Sequence, residues 1–305
     1  MSNNMKLKDI GEFGFIDILK KKFKSDSSVV CSIGDDAAVI KYNKNEYLLF
    51  ASDMIVEDVH FKIKSDKNIF FKIGHKALAC NISDIAAMGG VSKYIVVNMG
   101  VNPDFNKADV LSVFSGMNKL AKKFGVNIIG GDFSKSDKLT VSIAIIGVVK
   151  KKQLVLRSGA QAGDIIFVTG LLGGSGAGKH MVFMPRVKES MYLVNKYKIN
   201  AMIDISDGLA RDLRQITEAS KKGAILREEL LPISPSAKSI EDTLYEGEDF
   251  ELLFTADAKT AAKLKKDKKI KVHEIGRITA DRKKFAIVLK SGAEKKLAVK
   301  GFRHF

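Results

Sequence analysis

Aspartates recur at the ends of apolar runs in this chain, usually beside glycine. They are Asp35 and Asp36 in SIGDDAAVI, Asp53 in FASDMIV, Asp84 in NISDIAAMGG, Asp132 in IIGGDFS, and Asp204 and Asp207 in AMIDISDGL. Aspartate is a poor strand residue, and its charge is costly to bury unless it is paired or bound to metal. Any one of them alone reads as a turn or a helix cap. One residue type at so many strand ends reads instead as a set of oxygen ligands that the fold gathers. Mg2+ suits such a set, because it takes hard oxygen donors, keeps several waters and bridges carboxylates to substrate phosphates. A thiolate or imidazole site is disfavoured, since the 2 cysteines and 5 histidines form no ligand pairs.

The neighbouring glycines point to phosphate. Gly130 and Gly131 before Asp132 would let backbone approach a phosphate closely. The amides around Ser206, Asp207 and Gly208, at a helix start, are a second candidate contact, with an ordinary N-cap as the other reading of Ser206. Residues 173–180, GGSGAGKH, approach the GxxxxGK[ST] pattern of a P-loop. His180 takes the last position and cannot supply the hydroxyl that a P-loop gives to Mg2+, so a true P-loop is not expected.

Those side chains need strands and helices to position them. Residues 9–24 read as an amphipathic opening helix with Phe15, Ile18, Leu19 and Phe23 on one face. A β-rich stretch broken by Gly34-Asp35-Asp36 follows, then a strand over 47–56 that carries Asp53. Helix 73–88 stops at Gly89-Gly90 and carries Asp84. Strand 94–101, helix 107–124, strand VNIIGGD and strand 139–149 complete a first half. The lysines at 150–152 mark a seam, which divides the chain into 1–150 and 151–305. The second half reads as strand 164–170, a glycine turn, a poorly patterned stretch to about 199, strand 201–206 and helix 207–222. Segment 250–256, a lysine-rich helix at 257–267 and strands near 271–277 and 284–290 finish it. Strands alternate with helices in both halves, so the class is α/β or α+β.

The 305 residues leave ample room for a core. The 51 Lys+Arg against 35 Asp+Glu give a charge of +16, which invites a nucleic-acid reading. The lysines are spread along the chain with no interleaved aromatic platform, so a solvated basic surface that draws in anionic substrates fits better. The isolated Cys31 and Cys80 suit a reducing compartment. The opening segment lacks an apolar signal core and no apolar run is long enough to span a bilayer, which together suggest a cytoplasmic protein.

At these residues the sequence resembles the thiamine-monophosphate kinase family, in the superfamily that includes aminoimidazole ribonucleotide synthetase. The segments that carry the likeness are GEFGFI (11–16), SIGDDAAVI (32–40), SDMIVEDVHF (52–61), KALACNISDIAAMGG (76–90), IIGGDFSKS (128–136), RSGAQAGDIIFVTG (157–170), AMIDISDGLARDL (201–213), GEDFELLFT (247–255) and IGRIT (275–279). They keep the family's order along nearly the whole chain. The resemblance implies two α/β domains, with mixed sheets flanked by helices, and a homodimer paired through the N-terminal halves. It implies transfer of the γ-phosphoryl group of ATP to thiamine monophosphate. Asp36, Ser52, Asp53, Asp84, Asp132, Asp204 and Asp207 would then hold several Mg2+ ions. Gly131, Asp132, Arg157 and Ser206 would contact ATP, and His60, Glu248 and Phe302 the thiamine phosphate. No residue is singled out as a covalent catalyst, because the acceptor phosphate is already anionic. Cyclo-ligation or selenophosphate synthesis on the same fold, and nucleic-acid binding, are the competing functions. The sequence departs from the family's usual pattern at Ser32, Phe133, Gly174 and Glu246, and the stretch 178–185 is short.

Overall fold

The computed structural model describes residues 6–63 and 66–302. Residues 1–5, part of the opening segment read above, and residues 64–65 and 303–305 lie outside the described residues.

The first half is a six-stranded sheet covered by helices. Helix α1 (Leu7–Lys22) precedes β1 (Val29–Cys31), β2 (Ala38–Lys41) and β3 (Glu46–Val56); α2 (Ile69–Ala87), β4 (Val91–Val101), α3 (Lys107–Phe124), β5 (Asn127–Lys135) and β6 (Thr140–Lys150) follow. The strand order is β1-β2-β3-β6-β4-β5, antiparallel throughout except for the parallel β4–β5 pair. Strand β6 alternates along its length, with Val141, Ile143, Ile145 and Val149 buried on one face. That face packs on α2, whose own residues are buried along most of its length.

Helices α2 and α3 cross with their backbones in contact. A Cβ on Gly74 would fall 1.8 Å from the Val113 carbonyl oxygen, and one on Gly116 would fall 2.0 Å from that of Phe71. Only glycine permits this approach.

The second half is a seven-stranded sheet built from β7 (Ile165–Thr169), β8 (Ala201–Asp204), β9 (Gly223–Arg227), β10 (Leu252–Ala256), β11 (Val272–Thr279), β12 (Phe285–Val288) and β13 (Glu294–Lys296), in the order β13-β12-β9-β11-β7-β10-β8. Its helices are α4 (Val187–Lys196), α5 (Leu209–Ser220), α6 (Ile240–Tyr245) and α7 (Ala258–Leu264). Helix α2 joins the halves. Ser190 Oγ of α4 donates to the Ala86 carbonyl at 2.5 Å, and α2 also packs on β8.

Several expectations need correction. The stretch before residue 199 contains α4, whose Leu193 and Ser190 are buried. Arg186 and Lys196, at its two ends, break the apolar pattern. Strand β9 and the short α6 have no counterpart among the elements expected from the sequence. Helix α2 starts at Ile69, earlier than the periodicity implies, because Ile69 and Ile73 are already in the core. Helix α1 forms, but none of its residues is buried, and Phe15, Ile18 and Phe23 are exposed. Its backbone kinks at Gly11, where φ is 70° and the run of helical residues is interrupted.

Candidate active site

The carboxylates converge at the junction of the two halves, beside α2. Asp36 sits in the turn between β1 and β2. Asp84 sits on α2. Asp204 ends β8. One carboxylate oxygen from each lies within 4.8 Å of the others. The side chain of Asp53, on β3, adds charge beside them. Two positions on α2, Lys76 and Cys80, precede Asp84 at intervals of four and so share its face.

Arg157 balances part of this charge. It donates from Nη2 to Asp36 Oδ1 at 2.7 Å, and its backbone N–H donates to Asp35 at 3.0 Å. Ser83 Oγ donates to Asp204 Oδ2 at 2.5 Å. Burial, with Arg157 opposing it, pushes Asp36 above the usual carboxylate range. Removal from water, reinforced by Asp53, Asp204 and Asp36, pushes Asp84 well above it. Burial and the charge of Asp36 do the same to Asp204. Asp36 Oδ2 is buried and accepts no hydrogen bond from the described residues. Crowded oxygen donors, one of them orphaned, fit a divalent cation with hard-ligand preference.

A cleft of about 630 Å³ opens above the carboxylates, within the usual range of ligand sites. It brings together Asp36, Ser52, Asp53 and Asp84 from the first half with Arg157, Asp204, Ser206 and Asp207 from the second. His60, Glu248 and Phe302 line it as well. Phe302 is placed by its N–H, which donates to the Asp207 carbonyl at 3.0 Å, and its ring lies 5.9 Å from that of His60.

Ser206 does not cap α5. The N-cap position is Gly208, and the amides of Asp207 and Gly208 are taken at 3.1 Å by the buried Asp212 carboxylate from the first turn. Glu248 (φ 65°) and Phe250 (φ 50°) both adopt left-handed backbone, a conformation that costs energy outside glycine and clusters at functional sites.

Two sequence-derived positions stand apart. Gly131 and Asp132 lie on the edge strand β5. Asp132 is level with Asn98, Ser142 and Met54 across β4, β6 and β3, three strand spacings or roughly 14 Å from β3. Its row belongs to the sheet face opposite α2, whereas Asp53 is in register with the buried Ile143. A Cβ on Gly131 would fall 1.8 Å from the Val97 carbonyl oxygen, so this glycine is required by strand packing within the chain.

The P-loop-like segment is occupied by the chain's own carboxylates. Gly174 N–H and Gly176 N–H donate to Glu246 at 2.6 and 2.9 Å, and Gly173 N–H donates to Asp249 at 2.8 Å. Lys179 pairs with Glu251 at 3.1 Å. Sequence reasoning missed Cys80 and Asp212, which line the cleft, and Lys76 and His180, which contact Glu248. Only the four-residue spacing of Lys76, Cys80 and Asp84 signalled any of them.

Comparison with known proteins fits this geometry. Residues 34–149 match the family described as AIR synthase related protein, N-terminal domain, and residues 161–289 match its C-terminal domain. The thiamine-monophosphate kinase of Bacillus subtilis is 35% identical over 96% of this chain and 99% of its own length. That of Aquifex aeolicus is 31% identical over 99% and 100%. This chain belongs to the thiamine-monophosphate kinase family. A solved structure of a family member, AaThiL complexed with AMPPCP and TMP, superposes with a TM-score of 0.87 at 31% identity, covering 100% of both chains. The family's two domains, each a mixed sheet flanked by helices, are thus the architecture of this protein.

Proposed function

We propose that this protein transfers the γ-phosphoryl group of ATP to the phosphate of thiamine monophosphate, giving thiamine diphosphate. The observation that carries the proposal is the convergence of Asp36, Asp84 and Asp204 at the floor of a cleft shared by both halves, in a chain whose relatives bear that name. The solved relative holding AMPPCP and TMP together supports a site for two phosphorylated ligands.

Asp36, Ser52, Asp53, Asp84, Asp204 and Asp207 are the residues we assign to Mg2+. Bound by these residues, Mg2+ would supply neutralising charge for the substrate phosphates. Arg157 adds a fixed positive charge at the same place, since Asp36 and Asp35 outweigh the cost of its burial and hold it protonated. Arg157 and Ser206 are assigned to ATP. The main barrier is the approach of two anions, so positioning and charge neutralisation suffice and no covalent phosphoenzyme is invoked. His60 is assigned to hydrogen bonding with the acceptor. Its Nδ1 accepts the Val56 N–H at 3.0 Å, so the neutral ring carries its proton on Nε2 and donates instead of acting as a base. Glu248 and Phe302 are assigned to the same ligand.

Asp132 and Gly131 we assign to the site of a second copy in a homodimer. The open face of the N-terminal sheet presents Phe50, Met54 and Tyr94 at 46%, 54% and 46% exposure. The cleft reaches that face, because Phe50, Ser52 and Met54 are part of its wall. A partner seated there would hide the apolar row and bring its own Asp132 toward the phosphates. Residues 1–150 would thus be the metal-binding, nucleotide-binding and pairing domain, and residues 151–305 would complete the site. Among the described residues no helix is long and apolar enough to cross a membrane. The free thiols Cys31 and Cys80 suit our placement of the reaction in the cytoplasm.

Pure protein incubated with ATP, Mg2+ and thiamine monophosphate should yield thiamine diphosphate, and labelled ATP alone should leave no label on the protein. A folded protein that forms no product at any Mg2+ concentration would reject the kinase reading.

A further inference from the structure

Lys76 is fully buried on α2, yet its ammonium is surrounded by polar atoms. It donates to the His60 carbonyl at 2.8 Å and to the Glu248 carboxylate, and His180 Nδ1 lies 2.9 Å away. These partners come from three separate segments: the turn after β3, residues 179–181, and the strained stretch before β10. His180 Nδ1 also lies 2.9 Å from the second Glu248 oxygen. That nitrogen serves one neighbour at a time. With its hydrogen on Nδ1 the ring donates to Glu248; in the tautomer with the hydrogen on Nε2, Nδ1 accepts from Lys76. Burial works to raise the Glu248 carboxyl, but the hydrogen bonds and charges of His180 and Lys76 outweigh it and hold the group ionised. Its backbone is tied too, by an N–H that donates to the Ser206 carbonyl at 2.7 Å.

The glycine-rich turn that carries His180 has no amides left for a nucleotide at Gly173, Gly174 or Gly176, because Asp249 and Glu246 already accept from them. What the turn offers instead is His180, whose Nδ1 reaches Glu248, a residue that does line the cleft.

We propose that Lys76 and His180 form a clamp that holds Glu248 in position for the acceptor substrate, a phosphate monoester with a cationic heteroaromatic body, and that segment 173–180 serves this acceptor subsite instead of nucleotide phosphate. The proposal rests on the assignment of Glu248 to the acceptor. Lys76 supplies the buried charge that keeps Glu248 anionic. His180 fixes the rotation of the carboxylate from its other side. Both are positioning residues.

The test compares the parent protein with His180→Ala, His180→Asn and Lys76→Met. Binding of thiamine monophosphate and of a non-hydrolysable ATP analogue is measured separately by calorimetry, with kcat and KM alongside. His180→Ala should weaken acceptor binding and raise its KM about tenfold, the effect of losing one charge-assisted hydrogen bond. Nucleotide affinity should stay within about twofold. His180→Asn, whose amide can reach the place of Nδ1, should recover most of the loss. His180→Ala that binds acceptor as the parent does, or that loses nucleotide affinity equally, overturns the clamp while leaving the kinase reading intact. A parent that binds no thiamine monophosphate overturns both. Because Lys76→Met removes a buried charge and can unfold the chain, the His180 pair decides the matter.

Discussion

Ser83 Oγ on α2 donates to Asp204 Oδ2 at the end of β8 at 2.5 Å, so one hydroxyl from the first half holds a carboxylate of the second in the acidic cluster. Ser83→Ala removes that tether. We expect a loss of about 1–3 kcal/mol in stability, the cost of leaving a buried acceptor without its donor. The Mg2+ concentration for half-maximal turnover should rise several-fold. Urea unfolding and a Mg2+ titration of activity read the two effects, and an unchanged Mg2+ requirement would remove Asp204 from the ligand set.

Asp84 is pushed far above its ordinary range by burial and by three neighbouring carboxylates. Without metal, this repulsion opposes folding. Asp84→Asn should therefore raise the melting temperature of chelator-treated protein while abolishing turnover. Added Mg2+ should stabilise the parent but not the variant. A variant less stable than the parent without metal would contradict the electrostatic reading.

The pairing of two copies can be tested by complementation. Asp53→Asn and Asp132→Asn should each cripple turnover alone. If Asp132 serves the partner's site, a mixture of the two variants allowed to exchange subunits should regain up to about a quarter of parental activity, because half of the random dimers are mixed and each holds one intact site. No recovery in demonstrably mixed dimers would place Asp132 in its own chain's site. Met54→Lys on the open sheet face should shift the protein toward monomer in sedimentation experiments.

Burial raises the Asp249 carboxyl to about 6, although the Gly173 N–H and Lys179 oppose the shift. Its folded value lies above the unfolded one near 3.8. The folded state therefore holds this proton more tightly, and the associated stability is full below the unfolded value and lost as pH rises to about 6. Asp249→Asn removes this dependence while keeping an acceptor for Gly173. The stability difference between variant and parent should move by up to about 3 kcal/mol in the variant's favour between about pH 3.5 and 7. A pH-independent difference would show that Asp249 titrates normally.

Gly74→Ala places a methyl group against the Val113 carbonyl, and backbone cannot step aside as a side chain can. The loss should be about 3 kcal/mol. Because α2 carries Lys76 and Asp84, turnover should fall with it. Denaturant unfolding measures the first effect and a steady-state assay the second.

The sequence alone determined the residue types of the site and the elements that carry them. Aspartate at the end of an apolar run is conspicuous because the local preference disfavours it, so Asp36, Asp53, Asp84 and Asp204 could be singled out without coordinates. Strands and helices with strong periodicity, such as β6 and α3, were equally legible. Tertiary structure decided which aspartates meet. Asp132 carries the same local signature as Asp53, but the strand order β3-β6-β4-β5 sets it three strands away and on the other face. The destiny of the P-loop-like turn was also non-local. Its amides are claimed by Glu246 and Asp249, residues some seventy positions later, through hydrogen bonds that no pattern within the turn encodes. Lys76 was hidden for the same reason: a lysine in an apolar helix looks like a surface residue until the fold surrounds its charge with polar partners from three distant segments.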